Sequence, residues 1–192
     1  MADLRRRAGL TPAIVVEEAG RLADEVGLDR LTLAAVAARL GVALPSLYKH
    51  IRGLDALLQQ IAANATAELA GLLADAAAGR SGTAALVALA DAYRAYAREH
   101  PGRSTAAQRV PDPTDPEHVA AGERVVGVIF AVLGGYGLVG DDVVDATRAL
   151  RAALYGFVVL EHSGGFGLPQ DVDRTFARLV AAFDLALRDW PA

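Results

Sequence analysis

Leu31-Thr-Leu-Ala-Ala-Val-Ala-Ala-Arg-Leu-Gly41-Val-Ala-Leu-Pro-Ser-Leu-Tyr-Lys-His-Ile51 reads as two short helices joined by a tight turn. Thr32 is placed to cap a first helix whose apolar residues Leu33, Val36, Ala37 and Leu40 recur at three- and four-residue steps and so share one face. Gly41 can take the positive φ that a sharp turn needs, and Val42 can tuck beneath both helices as they close at a steep angle. The second helix starts near Leu44 and takes Pro45 in its first turn, where no backbone N–H is required. It then turns Leu47 and Ile51 inward. Leu44, Pro45, Ser46, Tyr48, Lys49 and His50 are left facing outward. Such a face suits a DNA groove: Lys49 can meet a phosphate or a guanine edge, Tyr48 and His50 can donate to phosphates, and Leu44 or Pro45 can touch thymine methyls. A plain helical hairpin is the alternative reading of this window.

Outward from this stretch the pattern stays helical. Thr11-Pro12 supplies a cap and a first-turn proline for a helix to about Val26, with Val15, Ala19, Leu22 and Val26 as its inward stripe. Leu28 and Leu31 can close a three-helix head. Arg5, Arg6 and Arg7 precede it, either as an arm beside DNA or as a solvated tail. From Leu54 a long apolar pattern runs through Leu57, Leu58, Ile61, Ala65, Leu69, Leu72 and Leu73 to the break at Gly79, predicting one long helix. Further helices are predicted over about Thr83–His100, ended by Pro101-Gly102, then Glu117–Val132, Asp141–His162 and Pro169–Arg188. The boundary between head and body is placed at 53/54, giving domains 1–53 and 54–192. Gly134-Gly-Tyr-Gly137 has no preceding strand and no Gly-Lys-Ser/Thr ending, so it reads as a connection rather than a phosphate cradle.

The 192 residues suffice for a sizeable core, and no alternating β-branched run is long enough for a sheet, so the predicted class is all-α. The absence of cysteine removes disulfides, thiolate metal sites and cysteine nucleophiles, and four scattered histidines build no metal site. No cofactor is indicated. The N-terminus lacks an apolar signal core and no stretch offers roughly eighteen uninterrupted apolar residues, so a cytoplasmic protein with no membrane partner is expected. Residues 1–58 carry eight basic against seven acidic side chains and the remainder eleven against sixteen, a faintly positive head on an acidic body. Lys49 is the only lysine. The serines sit in no strand-turn-helix context that would make a nucleophile, so no enzyme is expected. A helical adaptor that binds protein through the head is the other alternative.

The last two predicted helices carry more apolar surface than one hairpin needs, notably Leu150, Leu154, Phe176, Leu179, Phe183 and Leu187. Two such pairs from two chains would make a four-helix interface and a homodimer; the alternative is that these residues close the body core.

These residues together resemble the tetracycline-repressor (TetR) family of bacterial transcription regulators. The resemblance is densest at Thr32–Leu58, in Leu-Gly-Val-Ala-Leu-Pro-Ser-Leu-Tyr-Lys-His-Ile51 and Leu54-Asp-Ala-Leu-Leu58, and spans nearly the whole chain. It implies double-stranded operator DNA and a small-molecule effector as partners of a homodimer. Phosphate contacts are implied at Thr32, Tyr48 and His50, and base contacts at Leu44, Pro45, Ser46 and Lys49. Where family members often place a phosphate-binding lysine, this chain has Leu54, with Arg52 as a substitute. Residues 149–161 and 164–173 resemble a body subtype named for a Trp/His-Gly motif, although Tyr155 stands where the histidine falls and no tryptophan is near. The implied effector pocket in the body has Tyr93, Tyr96, Phe130, Tyr155 and Phe157 as candidate linings and His100, Arg103, Arg151 and His162 as candidate polar anchors. Loss of operator binding on taking up a small, mostly apolar effector is the expected action.

Overall fold

A computed structural model describes residues 10–190. Its described residues form α-helices joined by turns, with no strand among them. They are α1 (Pro12–Val26), a 3₁₀ turn (Leu28–Arg30), α2 (Leu33–Leu40), α3 (Leu44–Leu47), α4 (Leu54–Ala77), α5 (Gly82–Glu99), α6 (Pro101–Ala106), α7 (Pro116–Gly134), α8 (Gly140–His162) and α9 (Val172–Arg188). The all-α expectation holds. Arg5, Arg6 and Arg7 lie outside the described residues.

The described residues divide into two compact units, 10–65 with 100–115, and 66–99 with 116–190. The expected head ended at residue 53; the first unit also takes the opening half of α4 and the segment around α6. Leu57, Ile61 and Ala62 of α4, together with Ala106, are buried in the same core as Val15, Ala19, Leu22, Val36, Leu47 and Ile51. Proline at 101 ends α5 but opens α6, because a helix's first turn needs no backbone donor from it. The short helix α6, expected only as a break, therefore docks on α1 within this unit. Gly102 makes that contact possible: a Cβ there would lie 2.2 Å from the Ala23 carbonyl carbon and oxygen.

The second unit has its own core, in which α5 supplies Ala85, Leu86, Leu89, Ala90, Tyr93 and Ala97 at helical spacing against Ile129 and Leu133 of α7, Leu150 and Leu154 of α8, and Phe176, Val180 and Leu187 of α9. One polar knot lies at its edge. Asp184 accepts from Thr83 Oγ1 at 2.6 Å, from Tyr136 Oη at 2.7 Å and from Arg188 Nη2 at 2.9 Å. Hydrogen bonds from Thr83 and Tyr136 hold the Asp184 carboxyl below its ordinary range. Burial, with the Asp184 charge beside it, pushes the Tyr136 phenol up to about 12.

Candidate nucleic-acid interface and effector body

In the first unit the helix pair forms as the sequence dictates. Thr32 Oγ1 accepts from Ala35 N at 3.1 Å, satisfying one free donor of α2. Gly41 closes α2 in the left-handed region at φ 68°, its N–H and that of Val42 returning to Ala38 O and Ala37 O. Val42 packs against the core, as expected. The second helix is short: α3 covers Leu44–Leu47, and the chain continues in turns, with His50 N donating to Leu47 O at 2.9 Å and Ile51 N to the same oxygen at 3.1 Å. Leu47 and Ile51 are buried. Leu44 remains 37% and Tyr48 55% exposed, Pro45, Lys49 and Arg52 are exposed, and Ser46 and His50 are half-buried.

The scaffold behind this face is fixed by charge as well as by packing. Arg39 donates from Nη1 and Nη2 to the two Glu25 oxygens at 2.6 and 2.7 Å, a two-point carboxylate clamp between α2 and α1. That clamp holds the Glu25 carboxyl below its usual range. On the other side of α1, Asp24 accepts from Arg103 N at 2.8 Å and Arg103 Nε at 2.7 Å. Arg103 also donates to His100 Nδ1 at 2.6 Å. Arg103 and His100 were expected as effector anchors. Both lie in the first unit, where Arg103 ties α6 to Asp24 of α1, a pairing not visible in sequence.

In the second unit, of the expected pocket residues His162 alone borders either of two open depressions. Tyr93 and Tyr96 are buried in the core, and Tyr96 Oη donates to Glu68 Oε2 at 3.1 Å. Phe157 packs on Phe166 and Phe176, with ring centroids 4.8 and 5.0 Å away. Phe130 packs against the same core, Tyr155 is half-buried, and Arg151 is exposed. His162 lines an open depression of about 320 Å³ with Ala97, Arg98, Val158 and Glu161. A second depression of about 440 Å³ is floored by Ala67, Ala70, Gly71 and Ala74 of α4 and Gly127, Val128 and Ala131 of α7, with Arg124 among its lining residues. The sequence signal for it was available, since small residues recur at three- and four-residue steps on both helices.

Sequence reasoning also missed Arg94. Its guanidinium lies 4.6 Å from the Phe176 ring centroid and 5.4 Å from that of Phe157. It donates to Glu161 Oε2 at 2.9 Å and Asp173 Oδ1 at 2.7 Å, the Glu161 bonds being the main cause of its raised pKa. An arginine on the same stripe as Ala90, Tyr93 and Ala97 is the one hint the sequence offers.

The expected dimer residues divide. Leu150, Leu154, Phe176 and Leu187 are buried within this unit's own core, Phe176 at 2% and Leu187 at 1% exposed, and Leu179 and Phe183 are half-buried against it. The first four have no area left to give to a partner. The large apolar side chains that remain open on α8 and α9 are Val159, Leu160 and Leu185, the last 66% exposed.

Among the described residues no helix is long and apolar enough to cross a membrane. Residues 15–61 match the model of bacterial regulatory proteins of the tetR family, and residues 86–183 match that of the tetracyclin repressor-like C-terminal domain. An uncharacterised HTH-type transcriptional regulator of Mycobacterium tuberculosis is 37% identical over 93% of this chain and 82% of its own length. A structure of a protein of unknown function from Rhodococcus sp. RHA1 superposes with a TM-score of 0.76 at 21% identity, covering 95% of this chain and 97% of the other. A TetR variant from Acinetobacter baumannii AYE in complex with minocycline gives 0.64 at 24% identity, over 94% and 93% of the two chains. The helix-turn-helix of residues 32–51, the helical second unit and these relatives have one conclusion: the chain belongs to the TetR family of bacterial regulatory proteins, and is a helix-turn-helix transcriptional regulator rather than an enzyme.

Proposed function

We propose that the protein is a cytoplasmic homodimer that binds operator DNA through residues 32–52 and releases it on binding a small, mostly apolar effector. The observation that carries the reading is the outward face of α3 and the turn after it, a solvent-exposed Tyr48 and Lys49 on a helix pair whose opposite side, Leu47 and Ile51, is buried. On this reading Thr32, Tyr48, His50 and Arg52 meet phosphates and Leu44, Pro45, Ser46 and Lys49 face bases, with Arg5, Arg6 and Arg7 as further DNA contacts. Phosphate contacts position the head and carry the salt dependence; base contacts carry the sequence.

The effector enters the body. The Ala- and Gly-lined depression between α4 and α7 supports an apolar ligand, and the Acinetobacter relative's complex with minocycline is in keeping with a small organic molecule. Residues 149–173 support a body of the Trp/His-Gly subtype. Since α4 runs continuously from residue 54 to 77 and belongs to both units, it is the element through which occupancy of the body reaches the head. The effector must prefer the released arrangement, and by linkage operator DNA must weaken effector binding by the same factor. Val159, Leu160 and Leu185 are the apolar groups that a second copy would cover.

A gel-shift titration of the full chain against DNA from beside its own coding region, at two salt concentrations, tests the reading. Binding should weaken with salt. Lys49→Ala should lower affinity, and Tyr48→Phe should lower it evenly across sequences. Binding that is absent at low salt, or indifferent to salt, would point to a protein-binding adaptor instead.

A further inference from the structure

The recognition face has an unusual inventory. Bases are ordinarily discriminated in the major groove by Arg or Lys on guanine, Asn or Gln on adenine, and Asp or Glu on cytosine. Between Gly41 and Ile51 there is no Arg, Asn, Gln, Asp or Glu, and Lys49 is the one side chain able to make a strong polar base contact. Arg39, on the preceding helix, is spent on Glu25. What this stretch presents to solvent ahead of Lys49 is apolar: Ala43, Leu44 and Pro45 are exposed in succession. Leu44 shares its helical face with Tyr48, and both are exposed, whereas Leu47 is buried. The residue before α3 continues the theme. Thr11 and Thr32 cap α1 and α2 with side-chain hydrogen bonds, whereas Ala43 precedes α3 with none and presents a methyl group in place of a hydroxyl.

Three consecutive exposed apolar side chains on a face otherwise suited to DNA call for an apolar partner, and the floor of the major groove offers one, the C5-methyl group of thymine. We infer that this regulator reads its operator mainly through thymine methyl groups, contacted by Ala43, Leu44 and Pro45, with Lys49 supplying the one charged base contact. The inference rests on the operator-binding reading above and names the chemistry by which that site selects its sequence. Leu44 and Pro45 are then specificity-determining residues, and selected half-sites carry thymine at adjacent positions.

The test uses duplexes selected from a random pool by binding to the full-length protein. In the selected half-site each thymine is replaced in turn by deoxyuridine, which keeps the hydrogen-bonding edge and removes only the methyl. At each contacted position the dissociation constant should rise about fourfold, the worth of one buried methyl-sized group. With Leu44→Ala or Pro45→Ala protein, both changed at exposed positions, the thymine-to-uracil ratio at one of these positions should fall towards one. Half-sites without required thymines would overturn the inference, as would equal binding of thymine and uracil duplexes, or a ratio that survives unchanged in both variants. Failure to select any duplex at low salt would overturn the operator-binding reading and this inference with it.

Discussion

Gly102→Ala tests how the first unit is held together. A Cβ at Gly102 would stand 2.2 Å from Ala23 C and O and 2.6 Å from Asp24 N, all backbone atoms of α1 that no rotamer change can move. Carbon atoms rest at about 3.5–4.0 Å, so α6 must retreat from α1 by more than about 1 Å. A shift of that size carries the bond from Arg103 N to Asp24 Oδ1, now 2.8 Å, beyond hydrogen-bonding range. Overpacking costs about 1–3 kcal/mol, and a lost hydrogen bond to a charged group about 1.5–3 kcal/mol. The better helix propensity of alanine returns at most about 1 kcal/mol. The first unit should therefore lose about 3 kcal/mol. Hydrogen exchange read on peptides from α1 and α6 should show the loss as faster exchange, while fluorescence of Trp190, the chain's only tryptophan, follows the second unit's core. Gly71→Ala is the internal control: it sits inside α4 with nothing within 4 Å of the added Cβ and should stabilise by up to about 1 kcal/mol. Unchanged exchange in α1 and α6 of Gly102→Ala would refute the close-approach argument.

Three further outcomes are expected. Leu160→Glu with Leu185→Glu, at exposed positions, should give a folded monomer in sedimentation, whereas Leu187→Glu, at a buried one, should unfold the second unit; a dimer that survives the first pair sinks the proposed interface. Arg94→Ala, which strips its partner from the largely buried Glu161, should cost about 3–5 kcal/mol by Trp190-monitored denaturation; Asp173→Asn should cost far less because Asp173 is 70% exposed, and equal costs would contradict the burial argument. For pH, the Asp184 carboxyl is lowered in the native state, so its contribution is complete above the ordinary carboxylate value and lost as pH falls through the native one. The Tyr136 phenol is raised from 10.0 to about 12, so its contribution is complete below 10 and lost as pH rises from there towards 12. Tyr136→Phe should flatten that alkaline loss in thermal melts, and an unchanged slope between pH 10 and 12 would show that the phenol does not bear it.

The parts of this protein legible in its sequence are those built from contacts between near neighbours. Thr32, Gly41, Pro45 and the spacing of Val36, Ala37, Leu47 and Ile51 specify the helix pair because capping, positive φ and amphipathic periodicity act within a turn or two. The same local rules place α4, α5, α7 and α8 to within a few residues. Helical periodicity tells that a face is buried and is silent on what buries it. Leu150, Leu154, Phe176 and Leu187 therefore read equally well as a partner's surface or as core, and only the packing of α8 and α9 against α5 assigned them to the core. Ion pairs between distant helices are hidden from the sequence for the same reason. Arg103 found Asp24 across 79 positions of sequence, and Arg94 found Glu161 across 67. Local sequence determined the class and the helix-turn-helix, and placed the apolar run Ala43, Leu44 and Pro45 at its second helix. Tertiary structure alone decided that α6 belongs with α1, that Arg94 is buried between two phenylalanine rings, and which apolar side chains of α8 and α9 stay open, because each depends on pairings between residues that the sequence holds far apart.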